Sequence, residues 1–343
     1  MADIFEQTER ETGPTLTQKT VPSAHIPVIR QLTIALGLLL VVFSTSYIGT
    51  LIALVNNDVA SEDVLVSARL TESVEAHSNS NPFDDVVVTA RSAFVWDVKT
   101  GRALFNKNGD EVLPLASVTK LMTALVAYEL LDDDTLVNIS IDAIRTDGDS
   151  GLSDGETFSL KNLTDMVLVA SSNDGAEALG AAAGKSVVAE GKPEDIFVHA
   201  MNLRAEQLGL TNTTFNNASG LDISEDKAGA YSTARDMSFL MEYIVTNYPN
   251  VTALTKVENT YVYNESGEYH EVENTNEIVS KIDGLIASKT GYTELSGGNL
   301  VVAFNAGLNH PIIVVVLGST FKERFTDVLL LTKLARSYVA TQP

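Results

Sequence analysis

The chain has 343 residues, of which 45% are hydrophobic and 20% charged, a composition that supports one large or two modest domains with a well-filled core. It contains no cysteine, which excludes disulfides, thiolate zinc sites, iron–sulfur clusters and cysteine nucleophiles. Its formal net charge of −22 argues against nucleic acid as a partner, because binding to phosphates depends on Lys and Arg.

The first 85 residues divide into three predicted segments. Residues 1–31 are polar and contain prolines, which indicates a flexible tail. Leu32–Val55 is a run of 24 residues without a charged side chain. As a helix it would be about 36 Å long, against a hydrocarbon core of about 30 Å. It therefore predicts a retained transmembrane anchor, with a cleaved signal peptide as the alternative. Residues 56–85 are rich in Ser, Asn and Asp and predict a flexible linker.

The charges that flank this anchor indicate its orientation. Lys19 and Arg30 precede it, whereas Arg69 is the first basic residue after it. By the positive-inside rule, the N-terminal tail is cytoplasmic. We therefore expect a single-pass protein of the cell membrane whose remaining domain lies on the extracytoplasmic side.

Residues 86–343 are predicted to form one folded domain. Two strands flank Lys99-Thr100-Gly101 as a hairpin, and further strands and helices follow to the end of the chain. The predicted strands are Ser92–Val98, Arg102–Asn106, Asn299–Asn305 and Ile312–Leu317, and the predicted helices follow Ser117 and cover Leu160–Ala170, Ala176–Ala183, Asp195–Leu208, Thr233–Tyr243 and 321–340. Strands at both ends with helices between them predict an α/β fold with one sheet built from both termini.

Ser117 and Lys120 lie in the stretch Pro114-Leu-Ala-Ser-Val-Thr-Lys-Leu-Met-Thr-Ala-Leu-Val. The apolar residues after Lys120 fit one helix face, so Ser117 falls at the helix start and Lys120 one turn later on the same side. A serine hydroxyl is a poor nucleophile until a base takes its proton, and a lysine whose pKa is lowered by burial can be that base. We therefore interpret Ser117 as a nucleophile and Lys120 as its general base.

A second candidate motif, Ser171-Ser172-Asn173, lies between an apolar segment and another predicted helix. A short hydroxyl such as that of Ser171 can relay a proton to a leaving amine, and the Asn173 amide can orient a lysine and a substrate peptide bond. The same residue types are also common as caps in a turn between two helices. This motif alone leaves both interpretations open.

A third candidate, Lys289-Thr290-Gly291, lies just before the strand-like run from Asn299. On an edge strand, the Lys289 cation and the Thr290 hydroxyl can hold the terminal carboxylate of a peptide. Gly291 lets a substrate backbone lie close against that strand. We place Lys289 in the catalytic group, and Thr290 and Gly291 in the substrate-binding group.

Second copies of two motifs are predicted to take no part. Ser224-Glu-Asp-Lys lies in an acidic, polar stretch, where the lysine would stay solvated and protonated. Lys99-Thr100-Gly101 follows Asp97 in the predicted hairpin turn, where Thr-Gly is ordinary turn chemistry. The five histidines are scattered and show no metal-ligand spacing, so no metal site is predicted.

The order of the three motifs resembles the penicillin-binding proteins and serine β-lactamases. The sequence from about Ser92 to Leu317 is similar to the low-molecular-weight D-alanyl-D-alanine carboxypeptidases in particular. The resemblance is carried by Phe94-Val-Trp-Asp-Val-Lys-Thr-Gly, Gly155-Glu, Ser171-Ser-Asn-Asp-Gly-Ala, Met201-Asn-Leu-Arg-Ala-Glu-Gln-Leu-Gly, Thr214-Phe-Asn-Asn-Ala-Ser-Gly-Leu, Ser232-Thr-Ala-Arg-Asp-Met, Asn274-Thr-Asn, Lys289-Thr-Gly-Tyr-Thr and Gly298-Asn-Leu-Val.

The resemblance implies a β-lactamase/DD-peptidase-like fold, in which a mainly antiparallel sheet is flanked by helices and joined to a helical lobe. It implies that the backbone N–H of Tyr292 supplies one oxyanion donor and that of Ser117 the other. It implies no cofactor, peptidoglycan stem peptides as substrate, and β-lactam antibiotics as inhibitors.

Two departures from the family pattern lead to expectations of their own. The chain ends at Pro343, so we expect neither the C-terminal β-domain nor the amphipathic anchor that relatives often carry, with Leu32–Val55 in place of the latter. Gly284 lies farther ahead of Lys289 than in many relatives, which predicts a small insertion beside the substrate strand.

Three activities compete for this site. The first is a DD-carboxypeptidase, which removes the terminal D-Ala through an acyl-enzyme on Ser117. The second is a DD-endopeptidase, which cuts cross-links with the same machinery and which local motifs do not separate from the first. The third is a β-lactamase, whose class A members need a glutamate to activate water. Glu206 is interpreted instead as a solvated helix residue, and a pure wall-binding protein would have no need of Lys120.

Overall fold

The computed structural model describes residues 81–148, 151–187 and 190–342. The predicted tail (1–31) and anchor (32–55) lie outside the described residues, as does the predicted linker (56–85) up to residue 80. Within the described ranges, no helix combines the length and the apolar character that a membrane crossing requires.

The described chain contains twelve strands and seven helices. The strands are β1 (Ser92–Asp97), β2 (Arg102–Lys107), β3 (Leu113–Pro114), β4 (Leu136–Asn138), β5 (Thr157–Ser159), β6 (Thr214–Phe215), β7 (Ala230–Ser232), β8 (Asn259–Tyr263), β9 (Tyr269–Glu273), β10 (Leu285–Thr293), β11 (Gly297–Asn305) and β12 (Pro311–Ser319). The helices are α1 (Lys120–Leu130), α2 (Ile141–Ile144), α3 (Leu160–Val169), α4 (Asn173–Val187), α5 (Pro193–Gln207), α6 (Ala234–Asn247) and α7 (Glu323–Thr341), with 3₁₀ turns at Ala116–Thr119 and Val279–Lys281.

The main sheet joins the two ends of the domain, as the sequence predicts. Its five strands run in the order β10-β11-β12-β1-β2, and every neighbouring pair is antiparallel. The predicted hairpin is β1 and β2, and the two predicted apolar strands are β11 and β12. The expectation of a mainly antiparallel sheet flanked by helices is confirmed.

Strand β12 is buried on both faces because it separates two apolar cores. Ile312, Val314 and Val316 pack in the core that includes Val328 and Leu331 of α7. The alternate residues of β12 face the larger core, which α1, α3, α4 and α6 share. The period-2 alternation of a strand therefore divides one continuous apolar run between two layers of helices.

The helical lobe contains α1 at its centre. Residues 120–127 of α1 are all buried, which is typical of a helix surrounded by packing partners rather than one with a single apolar face. The lobe packs α4 against α1, α3 and α5. The helix predicted over Ala176–Ala183 is longer than expected, because the polar start of α4 hides the apolar periodicity.

The hairpin of β8 and β9 was not predicted from the sequence. Its two strands pair antiparallel from Asn259–Glu273 to Tyr263–Tyr269. Only Val262 and Val272 are buried, while three tyrosines lie on the exposed face. With tyrosines outside and valines inside, the apolar–polar alternation that identifies a strand is weak.

The packed domain is already ordered at Phe83, ahead of the predicted domain start at residue 86. The Phe83 side chain is 5% exposed. Its ring stacks on Phe105 at a centroid distance of 5.7 Å and approaches Tyr338 of α7 at 6.4 Å.

Candidate active site

Ser117 lies in the 3₁₀ turn Ala116–Thr119 that leads into α1. Its neighbour Ala116 has φ of 47°, a left-handed conformation that is strained for a residue other than glycine. Such strain persists where the surrounding structure imposes it, and it clusters at functional sites. The predicted helix after Ser117 is present, with Ser117 half-buried in the turn just before it.

Lys120 is fully buried and uses its ammonium group on three acceptors. Its Nζ donates to Ser117 Oγ at 2.8 Å, to Asn173 Oδ1 at 2.7 Å and to the Ser219 carbonyl at 2.7 Å. Burial lowers the pKa of Lys120 to about 7, while the nearby carboxylates of Glu177 and Asp174 oppose this shift. A lysine with this pKa can exchange a proton with Ser117 near neutral pH.

The Ser171–Asn173 motif lies directly across from Lys120. Ser171 has φ of 64° between α3 and α4, and Asn173 is the first residue of α4. The Asn173 Nδ2 donates to the Asp147 carbonyl at 2.7 Å, which holds its Oδ1 toward Lys120. The motif serves both interpretations: Ser172 Oγ accepts the Gly175 N–H at 2.9 Å as a cap at the start of α4, whereas Ser171 and Asn173 contact the two lysines.

Lys289 completes the cluster from strand β10. Its Nζ donates to Ser171 Oγ at 2.9 Å and to the Thr290 carbonyl at 3.0 Å. Burial lowers its pKa well below the usual range, and the charges of Lys120 and Arg324 lower it further. Each of the two buried lysines thus donates to one serine hydroxyl, Lys120 to Ser117 and Lys289 to Ser171.

Thr290 and Gly291 lie on β10, the outer strand of the sheet, and both are buried there. The Thr290 hydroxyl is 2.6 Å from the Thr275 hydroxyl. At Gly291, an added Cβ would lie 2.7 Å from the Leu115 carbonyl oxygen and 3.2 Å from the Ser117 nitrogen. The Ser117 turn therefore approaches β10 more closely than any side chain at position 291 would allow. Tyr292 follows with its side chain 42% exposed.

The structure thus brings together Ser117, Lys120, Ser171, Asn173 and Lys289, with Thr290, Gly291 and Tyr292 on the adjoining strand. Ser219, Thr275 and Arg324 also touch this cluster and were not predicted. Ser219 and Thr275 lie inside stretches that carry the family resemblance, which is the signal that could have found them. Arg324 has no local sequence signal.

The second copies of the motifs lie away from the site, as predicted. Ser224 and Lys227 form an exposed turn closed by an isolated bridge. Lys99 and Thr100 lie in the β1–β2 turn, where both of their backbone N–H groups donate to the Asp97 carboxylate. Glu206 is exposed on α5.

Two half-buried histidines pair with carboxylates outside the site. His270 contacts Glu156 at 2.8 Å and His310 contacts Asp97 at 2.9 Å. Within the part of the chain that the structure describes, no group of three or more His, Asp or Glu side chains is arranged to hold a metal ion.

Comparison with known proteins places this geometry in a class. The fold is similar to that of penicillin-binding protein D2 from Listeria monocytogenes in its ampicillin-bound form, with a TM-score of 0.60, 29% identity, and coverage of 73% of this chain and 98% of that chain. Residues 75–320 match the family described as D-alanyl-D-alanine carboxypeptidase. The domain has a penicillin-binding-protein fold, and the chain belongs to the D-alanyl-D-alanine carboxypeptidase family.

Two curated relatives carry different activity names. The chain is 32% identical over 262 residues to the D-alanyl-D-alanine carboxypeptidase DacF of Bacillus subtilis, covering 74% of this chain and 64% of that protein. It is 31% identical over 252 residues to a D-alanyl-D-alanine endopeptidase of Pseudomonas aeruginosa, covering 71% of this chain and 76% of that protein. The chain therefore spans only about two thirds of the length of the carboxypeptidase.

Proposed function

We propose that this protein is a serine-type D-alanyl-D-alanine carboxypeptidase that trims peptidoglycan stem peptides. The observation that carries the proposal is the hydrogen bond of 2.8 Å between Ser117 Oγ and the Nζ of Lys120, a fully buried lysine whose pKa is lowered to about 7. This pair supplies a nucleophile and a base that can be neutral at physiological pH.

Acylation follows from these positions. Neutral Lys120 takes the Ser117 proton while Oγ attacks the carbonyl of the penultimate D-Ala. The backbone N–H groups of Ser117 and Tyr292 stabilise the oxyanion. As the peptide bond breaks, the Ser171 hydroxyl gives its proton to the departing D-Ala amine and takes one from the Lys289 ammonium, whose Nζ lies 2.9 Å away. Water then attacks the Ser117 ester and gives a proton to Ser171 and Lys289, while the Ser117 oxygen takes its proton back from Lys120, so that the shortened peptide leaves and both lysines are restored.

The hydroxyl pair of Thr290 and Thr275 supports recognition of the terminal carboxylate. Both hydroxyls can donate to a carboxylate oxygen once the hydrogen bond between them is broken. A bound carboxylate would also raise the pKa of Lys289 and favour its ammonium form. Binding of this carboxylate would make the enzyme select a residue at the C-terminal end of a peptide.

A DD-endopeptidase is the second candidate. The relative from Pseudomonas aeruginosa carries that name, and the chain covers 76% of its length. The same five polar side chains would perform the chemistry. A β-lactamase is disfavoured by the exposure of Glu206, which points this glutamate at solvent instead of the site. We propose instead that β-lactams acylate Ser117 as inhibitors, in line with the ampicillin-bound relative of Listeria monocytogenes.

The test is turnover of a stem peptide ending in free D-Ala-D-Ala against the same peptide with a C-terminal amide. We expect the acid to be cleaved well and the amide poorly, and Ser117→Ala to abolish both activities. Lys289→Ala should shrink the difference, since about 1.5–3 kcal/mol of charge-assisted hydrogen bonding is lost. Equal turnover of acid and amide by the unmutated enzyme would instead favour the endopeptidase.

A further inference from the structure

Arg324, in the first turn of α7, reaches the backbone of the substrate strand. Arg324 is only 3% exposed, and its Nη1 donates to the Gly291 carbonyl at 2.8 Å. The guanidinium lies over the rings of Phe321 and Phe325, at 4.5 Å and 4.7 Å from their centroids. The two rings and the carbonyl hold the guanidinium in one place beside β10.

This burial is unfavourable for Arg324 itself. Burial lowers its pKa to about 10, and its Nε has no hydrogen-bond partner among the described residues. Within those residues it also forms no ion pair within 4.0 Å. A buried cation with an unsatisfied donor costs free energy that stacking on aromatic rings only partly offsets. Stability alone is therefore a poor reason for an arginine here.

The bonded carbonyl belongs to the same peptide group as the Tyr292 N–H. A trans peptide is planar and directs its C=O and N–H to opposite sides. Fixing the Gly291 carbonyl toward α7 consequently fixes the direction of the Tyr292 N–H. The Ser117 turn packs against this peptide, with the Ser117 nitrogen only 3.2 Å from where a Cβ on Gly291 would lie.

We infer that Arg324 is a positioning residue for the oxyanion site, one that aims and polarises the Tyr292 N–H through the Gly291 carbonyl. The inference rests on the proposed acyl transfer at Ser117. A cation on the carbonyl draws electron density across the amide, which makes its N–H a stronger donor. The peptide is then held in place before charge develops on the substrate oxygen, so no reorganisation is needed during the reaction.

The test compares Arg324→Met, Arg324→Gln and Arg336→Met in the full chain. Arg336 is the matched control because it also lies on α7, stacks on a phenylalanine ring (Phe304, 5.1 Å) and donates to backbone carbonyls, those of Ala306 and Asp283. Two quantities are measured: the single-turnover rate of Ser117 acylation by a penicillin, and the infrared stretch of the acyl carbonyl labelled with ¹³C.

We expect both Arg324 variants to slow acylation by about tenfold to a hundredfold, since a misaimed oxyanion donor loses most of its effect. The acyl carbonyl stretch should move to higher wavenumber as its hydrogen bonding weakens. Arg336→Met should leave the acylation rate and the carbonyl stretch unchanged, even if this substitution lowers the melting temperature.

Normal acylation and an unshifted carbonyl stretch in a folded Arg324 variant would overturn the inference. Arg324→Gln keeps a polar side chain and serves where Arg324→Met does not fold. The unmutated protein separates the two proposals. If the unmutated protein is not acylated at Ser117, the proposed function is refuted. If it is acylated and the Arg324 variants are acylated at the same rate, only the positioning role is refuted.

Discussion

Lys120 and Lys289 are two lysines buried in one polar cluster, and their protonation states are linked. Lys120 lies against Ser117 and Asn173, and Lys289 against Ser171. The Lys120 charge lowers the pKa of Lys289 in addition to the effect of burial. Since a buried like-charge pair disfavours double protonation, at least one of the two lysines is favoured to be neutral at neutral pH.

The first prediction is that the acylation rate rises with pH through about 7, as Lys120 loses its proton. Lys120→Arg should abolish acylation, because arginine stays protonated in this range. Penicillin acylation measured from pH 5 to pH 9 checks both expectations. Lys227→Arg, in the exposed second copy of the motif, should retain the normal rate and profile. A flat profile in the unmutated enzyme would show that another group is the base.

The same pKa shift makes Lys120 a source of pH-dependent stability. Its folded-state pKa of about 7 lies below the ordinary value of 10.5, so the unfolded chain binds more protons between these two values. The contribution of Lys120 to the free energy of unfolding therefore rises with pH across that window and is least favourable below about pH 7.

At the scale of elements, strand β10 and the Ser117 turn form the contact on which the oxyanion geometry depends. The turn packs against β10, and Gly291 is the residue that permits the approach. Strand β10 also has a register shift between Leu285 and Ala287, just after Gly284. The small insertion expected between Gly284 and Lys289 stays a prediction.

The second prediction concerns Gly291→Ala. The added methyl group would lie 2.7 Å from the Leu115 carbonyl oxygen, so the turn and the strand must separate. We expect acylation to fall by about a hundredfold or more, as when one oxyanion donor is lost, and the melting temperature to drop. Gly307→Ala is the control, because its Cβ would meet nothing closer than 3.8 Å. Acylation of Gly291→Ala at the normal rate would contradict the close approach.

Helices and strands were predicted correctly where their apolar residues followed a clear helical or strand periodicity, and were missed where they did not. The amphipathic α3 and α6 begin within a residue of their predicted starts, each with an N-cap side chain that accepts a backbone N–H. The β8–β9 hairpin was not predicted, because its tyrosines face solvent. No local pattern distinguishes an exposed aromatic strand from a loop.

At the scale of the whole molecule, residues before and after the helical lobe close the same sheet. Strand β1 pairs with β12, although more than 200 residues separate them in the chain. Phe83 extends this closure, since its ring packs on β2 and near α7. The N-terminal end of the domain therefore contributes to its stability.

The third prediction is that Phe83→Ala lowers the free energy of unfolding by about 3 kcal/mol, because it removes a buried ring and leaves a cavity. Urea unfolding followed by circular dichroism measures the change. Val87→Ala is the control, since Val87 is 86% exposed and should change stability little. Acylation of the folded Phe83→Ala protein should be normal. An unchanged urea midpoint would show that Phe83 does not pack in solution.

The fourth prediction rests on the sequence of residues 32–55, which we propose as a membrane anchor with the catalytic domain on the extracytoplasmic side. The full chain should remain in the membrane fraction after a high-salt wash, because burial of 24 uncharged residues is insensitive to salt. A chain shortened by removal of residues 1–55 is the control and should be released. A mature N-terminus between positions 50 and 65 would establish cleavage instead.

The sequence by itself determined the chemistry that lies within one helical turn or one strand. Ser117 and Lys120 meet because residues three apart share a helix face, and β12 is central because its six-residue run Ile312–Leu317 is apolar on both faces. Only the tertiary structure decided the contacts between distant segments. The Ser219 carbonyl that accepts a hydrogen bond from Lys120 is 99 residues away, and Arg324 reaches Gly291 across 33 residues. Their meeting depends on sheet register and helix packing, which no local pattern encodes.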